Sequence, residues 1–186
     1  MSAPARTSAA PARPRAAIVL REPVAADASD FLAAVLRSRA LHAGWVRPPA
    51  SPSDFSALLL RLQQPDHQGH LVCCRAADGG SSALAGAIIV SNIVRGAFQS
   101  GYLGYYAFAG FAGRGLMQAA LRAAAHHAFR VLHLHRLEAN IQPANTASLA
   151  LVRACGFQRE GFSPRYLKIG GRWRDHERWA LIAPRG

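Results

Sequence analysis

The chain has 186 residues, 51% hydrophobic and 17% charged, the size and composition of one soluble globular domain with a core of its own. Lysine and arginine number 22 against 10 aspartate and glutamate, a formal net charge of +12 carried almost wholly by arginine, since Lys168 is the only lysine; this points either to polyanionic surroundings (a phosphorylated cofactor, RNA, a ribonucleoprotein) or to a plain compositional bias. No apolar run approaches ~18 residues, which excludes a membrane-spanning helix, and three cysteines make an odd count that argues against a disulfide framework and fits a reducing cytoplasm.

Residues 1–16 are rich in Ala, Pro, Ser and Arg without an apolar segment. They read as a disordered leader ahead of a single domain over 17–186. Ala17 to Leu20 predicts a short strand that ends near Pro23. Asp27 is placed to cap a helix through Phe31, Leu32, Val35 and Leu36. Trp45, Pro48, Pro49 and Pro52 mark a loop. Ser53 or Asp54 then caps a helix through Leu58, Leu59 and Leu62, stopped before Pro65. His70 to Ala76, the turn at 78–81 and Leu84 to Val90 form a hairpin signal. Adjacent Cys73 and Cys74 point to opposite faces of that strand and make no zinc knuckle.

A strand from about Gln99 to Phe108 runs into Gly110, Gly113 and Gly115, and an alanine-rich helix from Leu116 to about Phe129 follows at once. His126, His127, His133 and His135 are joined by no carboxylate in sequence and read as surface and core histidines, not metal ligands. Arg136 to Ile141 is a buried strand. Asn145 or Thr146 opens a helix that stops at Cys155, Gly156 and Phe157, with Gly156 a good left-handed C′ residue. A last hairpin pairs Tyr166–Ile169 with Trp173–Ile182. The even spacing of Trp173 and Trp179 puts both on one face, as core or site wall. The order β-α-α-β-β-β-α-β-α-β-β predicts an α/β (α+β) mixed sheet, mostly antiparallel, with helices on both faces.

The strand–glycine–helix unit is the strongest chemical signal. A helix N-terminus offers unpaired N–H groups and the positive end of its dipole to a phosphate, and glycine lets backbone come close to it. No Gly-Lys-Ser/Thr tripeptide exists, so a Walker loop is excluded. A dinucleotide fingerprint fits Gly113 and Gly115 but meets Gln118 at its third small position, and no acidic residue lies ~20 positions on.

What remains resembles the GNAT superfamily of acetyl-CoA-dependent N-acetyltransferases. The element order matches, and Gly113 and Gly115 match its coenzyme A signature, with Gly110 where the family carries Arg or Gln and Arg114 as a substitute. Ser91 to Phe98, Leu103 to Tyr105, Gly113 to Met117, Pro143 with Asn145 and Ser148, Gly156-Phe157, and Gly171 with Trp173 to His176 are similar to one branch. That branch, the RimJ type, acetylates the N-terminal alanine of a small-subunit ribosomal protein. The resemblance implies a GNAT-like fold, acetyl-CoA as cofactor, a protein N-terminus as partner with ribosome contact, and a cytoplasmic monomer or homodimer. A small-amine, peptide or antibiotic acetyltransferase and a basic RNA-binding accessory protein are the alternatives.

The same resemblance distributes roles. Leu103, Gly104 and Tyr105 would pair with the pantetheine arm, admitted where this strand splays from Arg136–Ile141, and a backbone N–H near Tyr105 would polarise the thioester. Phe111, Ala112, Gly113, Arg114, Gly115 and Leu116 would hold the pyrophosphate through backbone N–H groups. Asn145 would contact coenzyme A, and Ser148 would protonate the leaving thiolate; both are equally explained as a helix-capping pair. Many family members carry a tyrosine one turn on, where this chain has Val152. Glu138 is the base if its carboxylate is buried with a raised pKa, and a plain ion-pair partner of Arg136 or Arg153 otherwise.

Overall fold

The computed structural model describes residues 17–75 and 82–185. The elements in chain order are β1 (Ile18–Arg21), α1 (Ala28–Arg37), α2 (Arg39–His42), α3 (Pro52–Leu62), β2 (Gln68–Cys74), β3 (Ala83–Val94), β4 (Ser100–Ala107), α4 (Leu116–Arg130), β5 (Arg136–Ile141), α5 (Thr146–Ala154), β6 (Gln158–Ile169) and β7 (Arg172–Ile182). The strands form one seven-stranded sheet ordered β1-β2-β3-β4-β5-β7-β6. Every pairing is antiparallel except β4 with β5. That parallel step is the crossover through α4, as a strand–helix–strand unit requires. The predicted turn at 78–81 and the leader lie outside the described residues.

Alternation along the strands sends side chains into two cores. Val72, Cys74, Ile88, Leu137 and Trp179 pack under α4 and α5. Leu71, Cys73, Ala87, Tyr106 and Phe108 pack under α1 and α3, around Phe31 and Phe55. Cys73 and Cys74 thus fall in different cores, as their adjacency predicts, and all three cysteines are free thiols. Gly86 fixes the close approach of β3 to α4: a Cβ there would meet the Tyr106 carbonyl oxygen at 2.5 Å and Met117 Sδ at 2.8 Å.

Four local expectations change. Asp27 does not cap α1; it ends a short 3-10 turn at Ala25–Asp27, accepts from the Val24 N–H (2.8 Å) and pairs with Arg21. The cap of α3 is Ser51, not Ser53 or Asp54, because Pro52 takes the first helical position and Ser51 Oγ accepts from the Asp54 N–H at 3.2 Å. β6 starts at Gln158, eight residues before the expected Tyr166, since Gly161 and Pro164 break its alternation at two bulges. Its edge position tolerates that proline. Trp173 is 61% exposed and joins no core, whereas Trp179 is buried.

Candidate active site

The sheet opens at its centre. β4 and β5 pair only through Ser100↔Arg136, Gly101↔Leu137 and Tyr102↔Glu138. Beyond Tyr102 the strands diverge, while β4 stays paired with β3 up to Ala107. The Phe108 N–H bonds Ala85 O across to β3. Alternation therefore aims the backbone groups of Leu103, Tyr105 and Ala107 into the gap. His42 meets this edge, its Nε2 donating to Ala107 O at 2.8 Å. A cavity of about 550 Å³ fills the gap, bounded by β4, β5, α5, the glycine loop, α2 and His176 of β7.

At one mouth lies the glycine loop. Gly110, Gly113 and Gly115 have φ of +86°, +73° and +74°, and Gly115 is the N-cap of α4. Only glycine takes this left-handed backbone without strain. A Cβ at any of the three would meet nothing within 4 Å, so their small size answers no packing need within the chain. The first turn of α4 has no acidic residue and no side-chain cap. Its N-terminus therefore keeps donors and dipole for an anion. Phe111 uses its N–H within the loop, on Phe108 O at 3.1 Å. Arg114 folds back, with Nη1 on Gly110 O at 3.2 Å and its guanidinium 5.8 Å from the Phe111 ring centre. It does not line the cavity, and neither does Leu116, whose side chain is core. An open cradle of backbone donors beside an unpaired strand edge fits a pyrophosphate on a long, amide-bearing arm.

Deeper in, Asn145 caps α5, its Oδ1 accepting from the Ser148 N–H at 3.1 Å. The Ser148 hydroxyl lies 2.5 Å from Tyr105 Oη. Burial pushes the Tyr105 phenol up to about 12. Leu103, Gly104, Tyr105, Asn145 and Ser148 all line the cavity. Val152 is core, and the phenol that reaches Ser148 comes from β4. Residue spacing along the sequence carries no signal for a contact 43 residues apart.

Glu138 is placed differently from the expectation that made it a base. It pairs with Tyr102 where β4 and β5 are still joined, short of the cavity lining, and its carboxylate accepts from Arg136 Nε at 2.8 Å. Arg136 also holds Glu160 with its other nitrogens. The polar groups on the cavity's far wall are instead His42, Tyr106, Asn140 and His176. None was singled out from sequence alone, although His176 sits in the Trp173–His176 segment and Asn140 shares a strand face with Glu138. The predicted histidine groups scatter; His127 stacks edge-on against His70, 5.1 Å away.

A mixed sheet that parts beside a glycine-started helix, with a hydroxyl pair in the gap, is the architecture of an acyl-CoA-dependent acetyltransferase. The model of the acetyltransferase (GNAT) domain matches residues 17–158, and the chain belongs to that family. It is an acetyl-CoA-dependent N-acetyltransferase. It is 38% identical over 133 residues to the [ribosomal protein uS5]-alanine N-acetyltransferase of Escherichia coli, covering 72% of this chain and 69% of that one. Among solved structures, Mycobacterium smegmatis RimJ in complex with CoA-disulfide superposes with a TM-score of 0.81 at 27% identity, over 91% of this chain and 84% of that one. The ribosomal-protein-S5-alanine acetyltransferase of Vibrio fischeri gives 0.78 at 27% identity, over 89% and 92%. No helix among the described residues is long and apolar enough to cross a membrane.

Proposed function

We propose that this enzyme acetylates a protein N-terminal amine, the N-terminal alanine of a small-subunit ribosomal protein. The observation that carries the reading is the cavity wall, which among the described residues contains no Asp, Glu, Lys or Arg side chain. An amine must be neutral to attack. At pH 7 an α-amino group with a pKa near ~8 loses its proton for roughly 1.4 kcal/mol, and a lysine-type amine near ~10.4 for roughly 4.6 kcal/mol. An uncharged cavity gives a polyamine or lysine cation nothing to offset that difference. The similarity to the E. coli uS5-alanine enzyme supports the same choice. So does the net charge of +12, which suits approach to a ribosomal particle.

Bound acetyl-CoA supplies the acetyl group as a thioester. The backbone edge of Leu103 and Tyr105 pairs with the pantetheine arm, and the Tyr105 N–H donates to the thioester carbonyl oxygen. Ala112 to Leu116 hold the pyrophosphate at the start of α4. Asn145 orients the start of α5 so that the Ser148 hydroxyl faces the leaving sulfur. Ser148 gives that sulfur its proton and is resupplied by Tyr105, which regains its own from water.

The reading is tested with three acceptors: a peptide starting with alanine, an N-terminally blocked peptide carrying one lysine, and spermidine. The alanine peptide is expected to exceed the other two by at least tenfold in kcat/KM, with mass spectrometry placing the acetyl group on the α-nitrogen. Preference for spermidine or lysine overturns the reading.

A further inference from the structure

The far wall of the cavity offers unpaired hydrogen-bond acceptors, two imidazole lone pairs and an amide oxygen, beside a phenol that can accept or donate. His42 donates from Nε2 to a carbonyl, which can only accept, so Nδ1 of the neutral ring carries a lone pair. His176 is fixed the other way round, with Nδ1 donating to Arg174 O at 2.9 Å and the lone pair on Nε2. Three of the four buried side-chain polar atoms without a partner among the described residues belong to this wall: His42 Nδ1, Tyr106 Oη and Asn140 Oδ1. Unpaired buried polar atoms are rare in native proteins, and each calls for an explanation. Their clustering around one cavity points to a polar occupant, whose N–H groups would meet the His42 lone pair and the Asn140 oxygen.

The four side chains share one face of the sheet. Tyr106 packs with His42, ring centres 5.3 Å apart, in the core under α1 and α3. Asn140 pairs with Arg178, and His176 lies two residues along the same strand, opposite in facing to Trp179. Tyr105 and Ser148 belong to the other face. The gap between β4 and β5 is therefore a passage through the sheet, with the thiol-facing hydroxyls on one side and these acceptors on the other.

We propose that this wall receives the acceptor amine, with His176 Nε2 taking the proton the amine loses and Asn140 Oδ1 holding a second N–H. The proposal rests on the N-terminal-amine reading for its substrate. In the step, the amine nitrogen forms a bond to the acetyl carbon and the carbon–sulfur bond breaks. The nitrogen's proton passes to His176 and on to water, and the sulfur takes its proton from Ser148. Burial lowers the His176 pKa and so keeps the ring neutral and receptive near neutral pH. Tyr166 of β6, its ring centre 6.1 Å away, and Asp175 beside it lie nearest, Arg174 and Arg178 flank it on its own strand face, and Tyr106 and His42 stand on the same side of the sheet around the cavity. Asp175 is engaged by the Arg165 N–H at 2.7 Å.

The test uses full-length protein and an alanine-starting peptide. His176→Gln is expected to lower kcat ~100-fold while calorimetry shows peptide affinity for the CoA-loaded protein within threefold of wild type. In wild type, kcat falls first as the amine takes up a proton and more steeply as pH drops through the lowered histidine pKa; in His176→Gln the amine's limb stays and the lower, histidine acid limb is absent. Asn140→Leu is expected to weaken peptide binding at least tenfold, with CoA affinity unchanged. A His176→Gln enzyme that keeps its kcat and its lower acid limb, or an Asn140→Leu protein with unaltered peptide affinity, overturns the proposal. If His176→Gln no longer binds CoA, the wild-type protein decides: the His176 ring titration by NMR must coincide with the lower kcat limb, and separation of the two overturns it. Should the enzyme prefer spermidine or lysine, the substrate reading fails alone, and the same measurements on that amine still decide the role of His176.

Discussion

In the proposed mechanism Ser148 and Tyr105 act as a pair, each compensating for the other. A serine hydroxyl is a poor acid, but a phenol 2.5 Å away can replace its proton as it is given up. Ser148→Ala should therefore lower kcat by ~100-fold and raise KM for acetyl-CoA far less, because the loss falls in the transition state. Tyr105→Phe should cost kcat about tenfold, since Ser148 keeps its own hydrogen. Steady-state kinetics decide, and a pure rise in KM would reduce Ser148 to a cap residue. Asp27 makes a different prediction. Its pKa is lowered first by the Arg21 hydrogen bond and then by the Val24 N–H, against burial. Stabilisation from such a group is full above the ordinary carboxylate range and is lost as pH falls through the lower folded value. Arg21 is 41% exposed, so screening holds the pair to about 1 kcal/mol. In urea, Asp27→Asn should be about 1 kcal/mol less stable than wild type at pH 7, with the gap closing as pH falls below the ordinary carboxylate range.

The glycine loop shows an element shaped for a ligand. Gly113 has φ of +73° and open space where a Cβ would stand. Gly113→Val should cost ~1–2 kcal/mol in backbone strain and place methyls where a phosphate approaches. Calorimetry should find CoA binding weakened at least tenfold; unchanged affinity would remove the pyrophosphate from this loop. The loop, α4 and α5 were legible in the sequence because glycine spacing, caps and period-3.6 patterning are local. β4 and β5 were legible as strands, but not the point where they part, because pairing depends on residues some 36 positions away (Ser100 with Arg136). The bulged first half of β6 was illegible for a related reason: bulges erase the alternation by which a strand is recognised. Asp27 misled because a carboxylate at a helix start has two partners to choose from, and the Arg21 guanidinium outweighs the helix N–H groups.

At the scale of the molecule, the strands fall into two sets, β1 to β4 and β5 to β7, joined by three residue pairs between β4 and β5. The core under α4 crosses between them, with Val72 and Ile88 on one side and Leu137 and Trp179 on the other. An arm lying along Leu103, Tyr105 and Ala107 would extend the sheet across the gap and lean on α5. Binding of that kind stabilises only the folded chain. At a hundredfold excess over its dissociation constant, acetyl-CoA should add about 2.7 kcal/mol, which for a chain of this size raises Tm by roughly 5–10 °C. Heating alone does not say where the ligand lies. Amide hydrogen exchange does, because only backbone N–H groups that gain a partner slow down. The amides of Leu103, Tyr105 and Ala112 to Leu116 should gain protection with coenzyme A, while those of Gly104 and Tyr106, already paired to β3, should change little. Uniform protection across β4 would mean general tightening without strand addition, and protection confined to the loop would leave the gap between β4 and β5 to the acceptor alone.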